Sequence, residues 1–213
     1  GFIGSHVVSA LLDQKHAVVL VDNFSTGKRE NIEAVLQGRT PRPRIQVLER
    51  DICNMQELCV VFAGAETVIH LAARPRIQYS IDHPKESFAA NVQGTKNVIA
   101  ACSVAGVKRL VFASSSSVYG DQEMLPLVET MTPHPKSPYA EQKLEAERAI
   151  LGANRQELET IALRFFNVYG PRQDSTGNYA GLIPTAITAS IQGKLLPVYG
   201  DGEQRRDFTY VDD

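Results

Sequence analysis

Tyr139 and Lys143 stand four positions apart in Ser137-Pro138-Tyr139-Ala140-Glu141-Gln142-Lys143, at the predicted start of a helix. That spacing puts both side chains on one helical face. A free phenol, with a pKa of about 10, is a poor base at neutral pH. A neighbouring ammonium stabilises the phenolate and makes it a usable base. Tyrosine and lysine at this spacing are also common on amphipathic helices whose lysine is simply exposed. The chemical reading gains weight from Ser114-Ser115-Ser116-Ser117-Val118-Tyr119-Gly120, which follows the strand-like run Arg109–Ala113. A hydroxyl at the C-terminal end of a strand in an open α/β sheet points into the ligand crevice. A serine run can be a flexible linker, yet one wedged between a buried strand and Val-Tyr-Gly suits that role poorly.

A second group of residues suits a dinucleotide. Gly1-Phe2-Ile3-Gly4-Ser5-His6 enters a predicted helix with two glycines three apart. A β-carbon there would keep the backbone from a pyrophosphate, and the helix N-terminus offers N–H groups and a favourable dipole. The same pattern also occurs in ordinary turns. The next predicted strand ends at Val21-Asp22-Asn23. A carboxylate at that strand end accepts hydrogen bonds from an adenosine ribose and repels a 2′-phosphate, which favours NAD over NADP. The alternative for Asp22 is a turn cap formed with Asn23. Asp51-Ile52 closes the following strand, where a polar-then-apolar pair could meet adenine. A bound NAD⁺ would add its positive nicotinamide ring to the charges favouring a Tyr139 phenolate.

The elements that must carry these residues alternate. Strand-like runs at Ala17–Val21, Ile45–Leu48, Thr67–Leu71, Arg109–Ala113 and Thr160–Phe165 separate helical stretches at Ser5–Gln14, Asn54–Phe62, Pro84–Val104 and Ser137–Ala153. Continuous apolar strands between helices predict an α/β fold, a Rossmann-type doubly wound parallel sheet covered on both faces. We expect residues 1–166 to form the NAD-binding domain. Residues 167–213, richer in Gly, Pro and Tyr with one helical piece near Leu182–Gln192, would begin a smaller substrate-binding region. Gly1 opens directly on the glycine-rich helix entry, and Asp213 closes on a strand and turn. We therefore expect an internal fragment lacking the first strand and prone to aggregate alone, because two strand edges would stand unpaired.

The 213 residues suffice for one substantial core, or one domain with part of a second, and the net charge is −2. With no Lys/Arg run, nucleic acid and anionic membranes are poor partners, and the apolar stretches fall short of a membrane span. Cys53, Cys59 and Cys102 form no CxxC pair and no cluster with histidine. They read as buried, reduced thiols of a cytoplasmic protein, with no metal site.

Taken together, GFIGSH, VDNFSTG (Val21–Gly27), RDI, HLAARPRIQYSIDHP (His70–Pro84), NVQGT (Asn91–Thr95), SSSSVYG, SPYAEQK, LRFFNVYGPRQD (Leu163–Asp174) and DGEQRRDFTYVDD resemble the extended short-chain dehydrogenases. The resemblance is to the NAD-dependent epimerase/dehydratase family, and within it to the UDP-hexose 4-epimerases. It covers nearly the whole chain and departs in lacking the first strand and first glycine of GxxGxxG. It implies that Phe2 and Ile3, with Gly1 and Gly4, lie on the NAD pyrophosphate. Asp22, Asn23, Ser25, Thr26 and Gly27 would surround the adenosine ribose, and Asp51 and Ile52 would touch adenine. Leu71, Ala72, Ala73 and Asn91 would line the cofactor's path, with Phe166 beside the nicotinamide. Ser115, Tyr139 and Lys143 match the catalytic serine, tyrosine and lysine. Ser115 and Ser116 would meet the sugar, and Asn167, Leu182, Val198, Tyr199 and Arg206 would hold UDP, where an arginine fork suits a diphosphate.

The implied reaction is 4-epimerisation of a UDP-hexose through a 4-keto sugar, in a homodimer built on Pro84–Val104 and Ser137–Ala153. Sugar-nucleotide dehydratases and UDP-glucuronate decarboxylases resemble a pattern with carboxylates just after the catalytic hydroxyl, where this chain has Ser116 and Ser117. UDP-glucuronate 4-epimerase stays open. A non-catalytic NAD-binding regulator is the alternative of a different class, and such proteins usually lack the tyrosine or the lysine.

Overall fold

The computed structural model describes every residue except 42, 176–180, 197 and 199. In chain order it contains α1 (Phe2–Asp13), β1 (Val18–Asp22), α2 (Arg29–Leu36), β2 (Ile45–Glu49), α3 (Met55–Val61) and β3 (Thr67–His70). There follow α4 (Ile77–Asp82), α5 (Pro84–Phe88), a π-helical turn (Ala89–Gln93), α6 (Gly94–Ala105) and β4 (Arg109–Ser115). The chain continues through a 3-10 turn (Ser116–Tyr119), α7 (Pro138–Gly152), β5 (Glu159–Phe165), β6 (Asn167–Tyr169), α8 (Leu182–Ile191) and β7 (Phe208–Tyr210). These elements sort into two compact units. One comprises Gly1–Leu20, Phe24–Gln46 and Phe166–Asp213; the other comprises Val21–Asn23 and Val47–Phe165.

The second unit is built on the parallel sheet β3-β4-β5, with Val68 opposite Leu110 and Leu110 opposite Thr160. Neighbours in register share a face. Leu110 and Phe112 therefore face the same side as Val68, His70 and Ala162, where Leu58, Val98, Cys102, Ala146 and Ile150 pack against them. Each fully buried Leu, Ile or Phe of this core contributes roughly 1.5–3 kcal/mol. On the other face Ile69, Ile161 and Leu163 are exposed. The α/β class and the parallel pairing are as expected of a Rossmann-type sheet.

Among the described residues three glycines, Gly94, Gly120 and Gly170, mark close approaches. A β-carbon on Gly94 would lie 2.6 Å from Ile52 Cδ1, so this glycine lets α6 approach the turn after β2. Proline at the first turn of α5 is well placed. The expected single helix over 84–104 is instead α5, a π turn and α6, ending on left-handed Gly106.

In the first unit, Val8 and Leu12 of α1 pack with Ile32 and Val35 of α2, beside Val18, Leu20 and Ile45. Arg39 ties these helices together, donating to Asp13 Oδ1 at 2.6 Å, Ser9 Oγ at 2.8 Å and Val35 O at 2.7 Å. Strands β6 and β7 pair in parallel, Asn167 opposite Phe208. One expectation about the cysteines needs correcting: all three are free, but only Cys102 is buried, while Cys53 is exposed. Cys53 sits in the turn after β2, where its thiol reaches the Ala89 carbonyl and the Asp51 carboxylate. Among the described residues no helix is long and apolar enough to cross a membrane.

Candidate active site

Helix α7 starts where its sequence says it should. The Ser137 hydroxyl accepts the Ala140 N–H at 3.2 Å, Pro138 occupies the first turn, and Glu141 complements the helix dipole. Tyr139 and Lys143 thus sit on the first two turns, in fixed phase. Ser137→Ala is expected to cost about 1 kcal/mol, the usual loss for an N-cap, measured as a lower urea midpoint.

Lys143 is buried, 3% exposed, which removes the exposed-lysine alternative. Its ammonium donates to Ala113 O of β4 at 2.5 Å and lies 4.2 Å from the centre of the Phe112 ring. Burial pushes its pKa down from 10.5 to about 7, with the Glu147 carboxylate opposing the fall. The folded chain therefore releases this proton earlier than the unfolded chain does. Between pH 7 and 10.5 the unfolded state binds more protons, so Lys143 makes stability rise with pH across that window. A Lys143→Met variant is expected to lose this rise, checked by urea midpoints at several pH values.

Tyr139 is partly exposed along its ring, while its hydroxyl end lies deep. Burial raises its pKa above 10, and a hydrogen bond with Ser115 pulls the other way. Ser115 ends β4 and is organised by Ser117, whose N–H and hydroxyl both donate to Ser115 Oγ, at 3.2 and 2.9 Å. With both lone pairs engaged, the Ser115 hydrogen is the one that donates to the Tyr139 oxygen. The serine run is thus a strand end passing into a 3-10 turn, not a linker.

Several residues that the sequence did not single out hold this group. The Tyr139 N–H donates to Ser80 Oγ at 3.0 Å. Gln142 accepts from Ser87 Oγ at 2.6 Å and from Asn91 Nδ2 at 2.9 Å. Asn91, expected to line the cofactor's path, also accepts from Arg74 N at 2.7 Å and is 1% exposed, so it pins the loop after β3 to α7. At the end of β3, burial holds neutral His70 down to about 3, and its Nε2 lies 2.9 Å from Thr95 Oγ1. The hydroxyl of Thr95 itself donates to Asn91 O at 2.8 Å. Also buried, Glu147 accepts two donors of Arg164 and the Ser114 hydroxyl, the last at 2.5 Å.

In the same unit, Asp22 ends β1 and Asn23 donates to Asp51 Oδ2 at 2.7 Å, bringing together three of the expected adenosine residues. Burial tends to raise the Asp51 pKa, but hydrogen bonds from Cys53 and Asn23 outweigh it and hold the carboxyl below its usual value. Ile52 packs against the core, and Leu71, Ala72 and Ala73 follow β3. The first unit holds Gly1 through Gly4 at the start of α1, and Ser25, Thr26 and Gly27 between β1 and α2. There Ser5 accepts from Arg172 Nε at 2.9 Å, and His6 Nε2 donates to Pro171 O at 2.9 Å with Nδ1 3.0 Å from Asp212. This gathers GFIGSH, the Pro171-Arg172 turn and Val211-Asp212 in one place. Phe166 precedes β6, Asn167 donates to Asp207 O at 2.8 Å, and Leu182 opens α8. Leu182 and Val198 are exposed, as is Arg206, which bonds Arg205 O. Tyr199 lies outside the described residues.

The model of the NAD dependent epimerase/dehydratase family matches residues 1–213. The chain belongs to that family. Within it, the UDP-N-acetyl-alpha-D-glucosaminuronate decarboxylase of Bacillus cytotoxicus is 39% identical over the whole chain, which covers 65% of that relative. The UDP-glucose 4-epimerase of Mycolicibacterium smegmatis is 35% identical, again over the whole chain and 67% of the relative. The structure of UDP-N-acetylglucosamine 4-epimerase from Methanobrevibacter ruminantium M1, in complex with UDP-N-acetylmuramic acid, superposes with a TM-score of 0.91 at 37% identity. That superposition covers 99% of the chain and 66% of the solved one. The chain thus spans about two thirds of the length of these relatives.

NAD is the cofactor of the epimerase/dehydratase family, and the residues present fit it. A β-carbon on Gly1 would meet nothing, leaving the backbone there open to approach. Asp22 and the Asn23–Asp51 pair offer the acceptors a ribose diol requires. The Lys143 ammonium has three protons, of which Ala113 O takes one.

Proposed function

We propose that the protein carrying this chain is a UDP-hexose 4-epimerase, acting on UDP-glucose/galactose or on UDP-N-acetylglucosamine/galactosamine. The observation that carries the proposal is the meeting of Ser115 and Tyr139, with buried Lys143 one turn along α7, where Ser116 and Ser117 offer no carboxylate beside the catalytic hydroxyl. A dehydratase or decarboxylase pattern would place acid-base groups there.

Bound NAD⁺ supplies the acceptor, and later the donor, of a hydride at C4. Tyr139 as phenolate takes the proton of the sugar 4-hydroxyl, and Ser115 donates a hydrogen bond to the same oxygen. Lys143 brings positive charge beside Tyr139 and hydrogen-bonds to the nicotinamide ribose. When the keto sugar presents its other face, Tyr139 returns the proton. Gly1, Phe2, Ile3 and Gly4 are assigned to the pyrophosphate, and Asp22, Asn23, Ser25, Thr26 and Gly27 to the ribose. Asp51 and Ile52 are assigned to adenine, and Leu71, Ala72, Ala73, Asn91 and Phe166 to the rest of the cofactor. Ser116, Asn167, Leu182, Val198, Tyr199 and Arg206 are assigned to the substrate, in a region beginning at residue 167. A homodimer through α6 and α7 completes the proposal; exposed Val104 and Leu151 on those helices support it.

The test is proton NMR of the purified protein with UDP-N-acetylglucosamine, UDP-glucose and UDP-glucuronate in turn. Appearance of a galacto-configured product from either neutral sugar bears the proposal out. Turnover of UDP-glucuronate alone, or loss of CO₂ from an acidic sugar, overturns it. Bound NAD with no turnover of any sugar would point to the regulator.

A further inference from the structure

Beneath Tyr139 and Lys143 the most enclosed charged group is Glu147, 4% exposed on α7. It lies one helical turn beyond Lys143, on the same face. Its carboxylate is fully engaged. Arg164 of β5 reaches it with Nη2 at 2.6 Å and Nε at 3.1 Å, and Ser114 donates to Oε2 at 2.5 Å. Arg164 is itself fixed, its guanidinium carbon 4.6 Å from the centre of the Tyr119 ring. Three elements thus converge on one carboxylate: α7, the end of β4 and β5. Ser114 stands between the two β4 groups that matter to the site, the Ala113 carbonyl that takes the Lys143 proton and the Ser115 hydroxyl.

We infer that Glu147, clamped by Arg164 and Ser114, is a positioning residue that acts as counter-ion to Lys143 and anchors the strand end carrying Ser115. A buried ammonium without a nearby anion gives up its proton. Four groups of the surrounding elements bear on Lys143: Glu147 on its own helix, His70 of β3, Arg164 of β5 and Tyr139. His70 is held neutral, and Arg164 is cationic and turned onto Glu147. Glu147 is the anion among them, and its charge opposes the desolvation of Lys143. The Ser114 contact gives the same carboxylate a mechanical role, since rotation of this strand end would move Ala113 O and Ser115 Oγ together.

The inference rests on the reading of Lys143 as part of the reactive pair, and its test separates the two. The Lys143 titration is followed by NMR in [¹³Cε]lysine-labelled protein without substrate, and the pH profile of kcat is measured in parallel. Glu147→Gln keeps the shape and an oxygen for Ser114 but removes the charge. Glu147→Gln combined with Arg164→Met removes both charges, so that neither is left unpaired. Glu147→Gln is expected to lower the Lys143 titration by about one pH unit or more, and the double variant to lower it by less, because it also removes a neighbouring cation. The alkaline limb of kcat is expected to move with it, while Glu147→Asp stays near the parent. An unmoved Lys143 titration in these variants overturns the inference, however much activity is lost. A titration that falls while the limb of kcat stays put upholds the counter-ion and overturns the catalytic reading of Lys143.

Discussion

Tyr139→Phe, in the protein that carries this chain, is expected to lower kcat by about 10²–10⁴-fold, the range for a positioned general base, with little change in the melting temperature. The ring remains to fill its space, and the backbone N–H that anchors Tyr139 to Ser80 is untouched. What is lost is the hydroxyl and its hydrogen bond with Ser115. That bond sits at the end of a chain in which Ser117 supplies both donors to Ser115 Oγ. Ser115 therefore keeps its place, and the loss falls on proton transfer rather than on folding. KM for the sugar nucleotide is expected to change little, since in the proposed mechanism the tyrosine meets only the reacting hydroxyl. Near-normal turnover of the variant would remove Tyr139 from the chemistry and with it the proposed mechanism.

Gly120→Ala is expected to be among the most damaging single changes, costing about 3–5 kcal/mol, a range reserved for strained or clashing sites. Gly120 has φ 62 and ψ −149, a conformation that side-chain-bearing residues avoid. The space is also taken, because a β-carbon would fall 1.8 Å from His134 O and 2.7 Å from His134 C. Relief by moving His134 is blocked on two sides. His134 N donates to Tyr119 O at 3.2 Å, and Gln122 Nε2 bridges Tyr119 O and Thr132 O at 2.7 and 3.0 Å. Tyr119, in turn, is the ring on which Arg164 rests. Chemical denaturation should show the loss directly. A midpoint equal to the parent's would mean that residues 120–134 are held less firmly than these bonds imply.

The sequence made the reactive residues legible because they lie close together along the chain. Tyr139 and Lys143 share one helix, and the serine run follows a strand of strong β character, so periodicity alone locates both. Their supports were not legible, because each is a meeting of distant segments. Ser80 lies 59 residues from Tyr139, Ser87 lies 55 from Gln142, and Glu147 lies 17 from Arg164. No local pattern distinguishes these residues from surface polar ones. Helix α4 and strand β6 escaped notice for another reason: they are short, at 6 and 3 residues. The exposure of Cys53 was missed because composition describes thiols on average, whereas the turn after β2 decides this one. Strand ends named Asp22 and Asp51 separately. Their positions did not reveal that Asn23 joins Asp51 directly.

The π turn at Ala89–Gln93 gives the stretch from Pro84 to Ala105 one residue more than a continuous α-helix needs over the same path. It works as a phase shifter. Forcing these residues into regular α-helical bonding without removing one would rotate everything downstream by about 100°. Thr95 would swing away from His70, and Asn97 away from the carbonyls of Ile52 and Cys53, each now 3.0 Å from its Nδ2. Gly94 would no longer face Ile52, and a bulkier residue would take its place against the turn. The extra residue is thus what keeps Thr95, Asn97 and Gly94 on their present faces, and regularising the turn around it would be equivalent to several simultaneous substitutions.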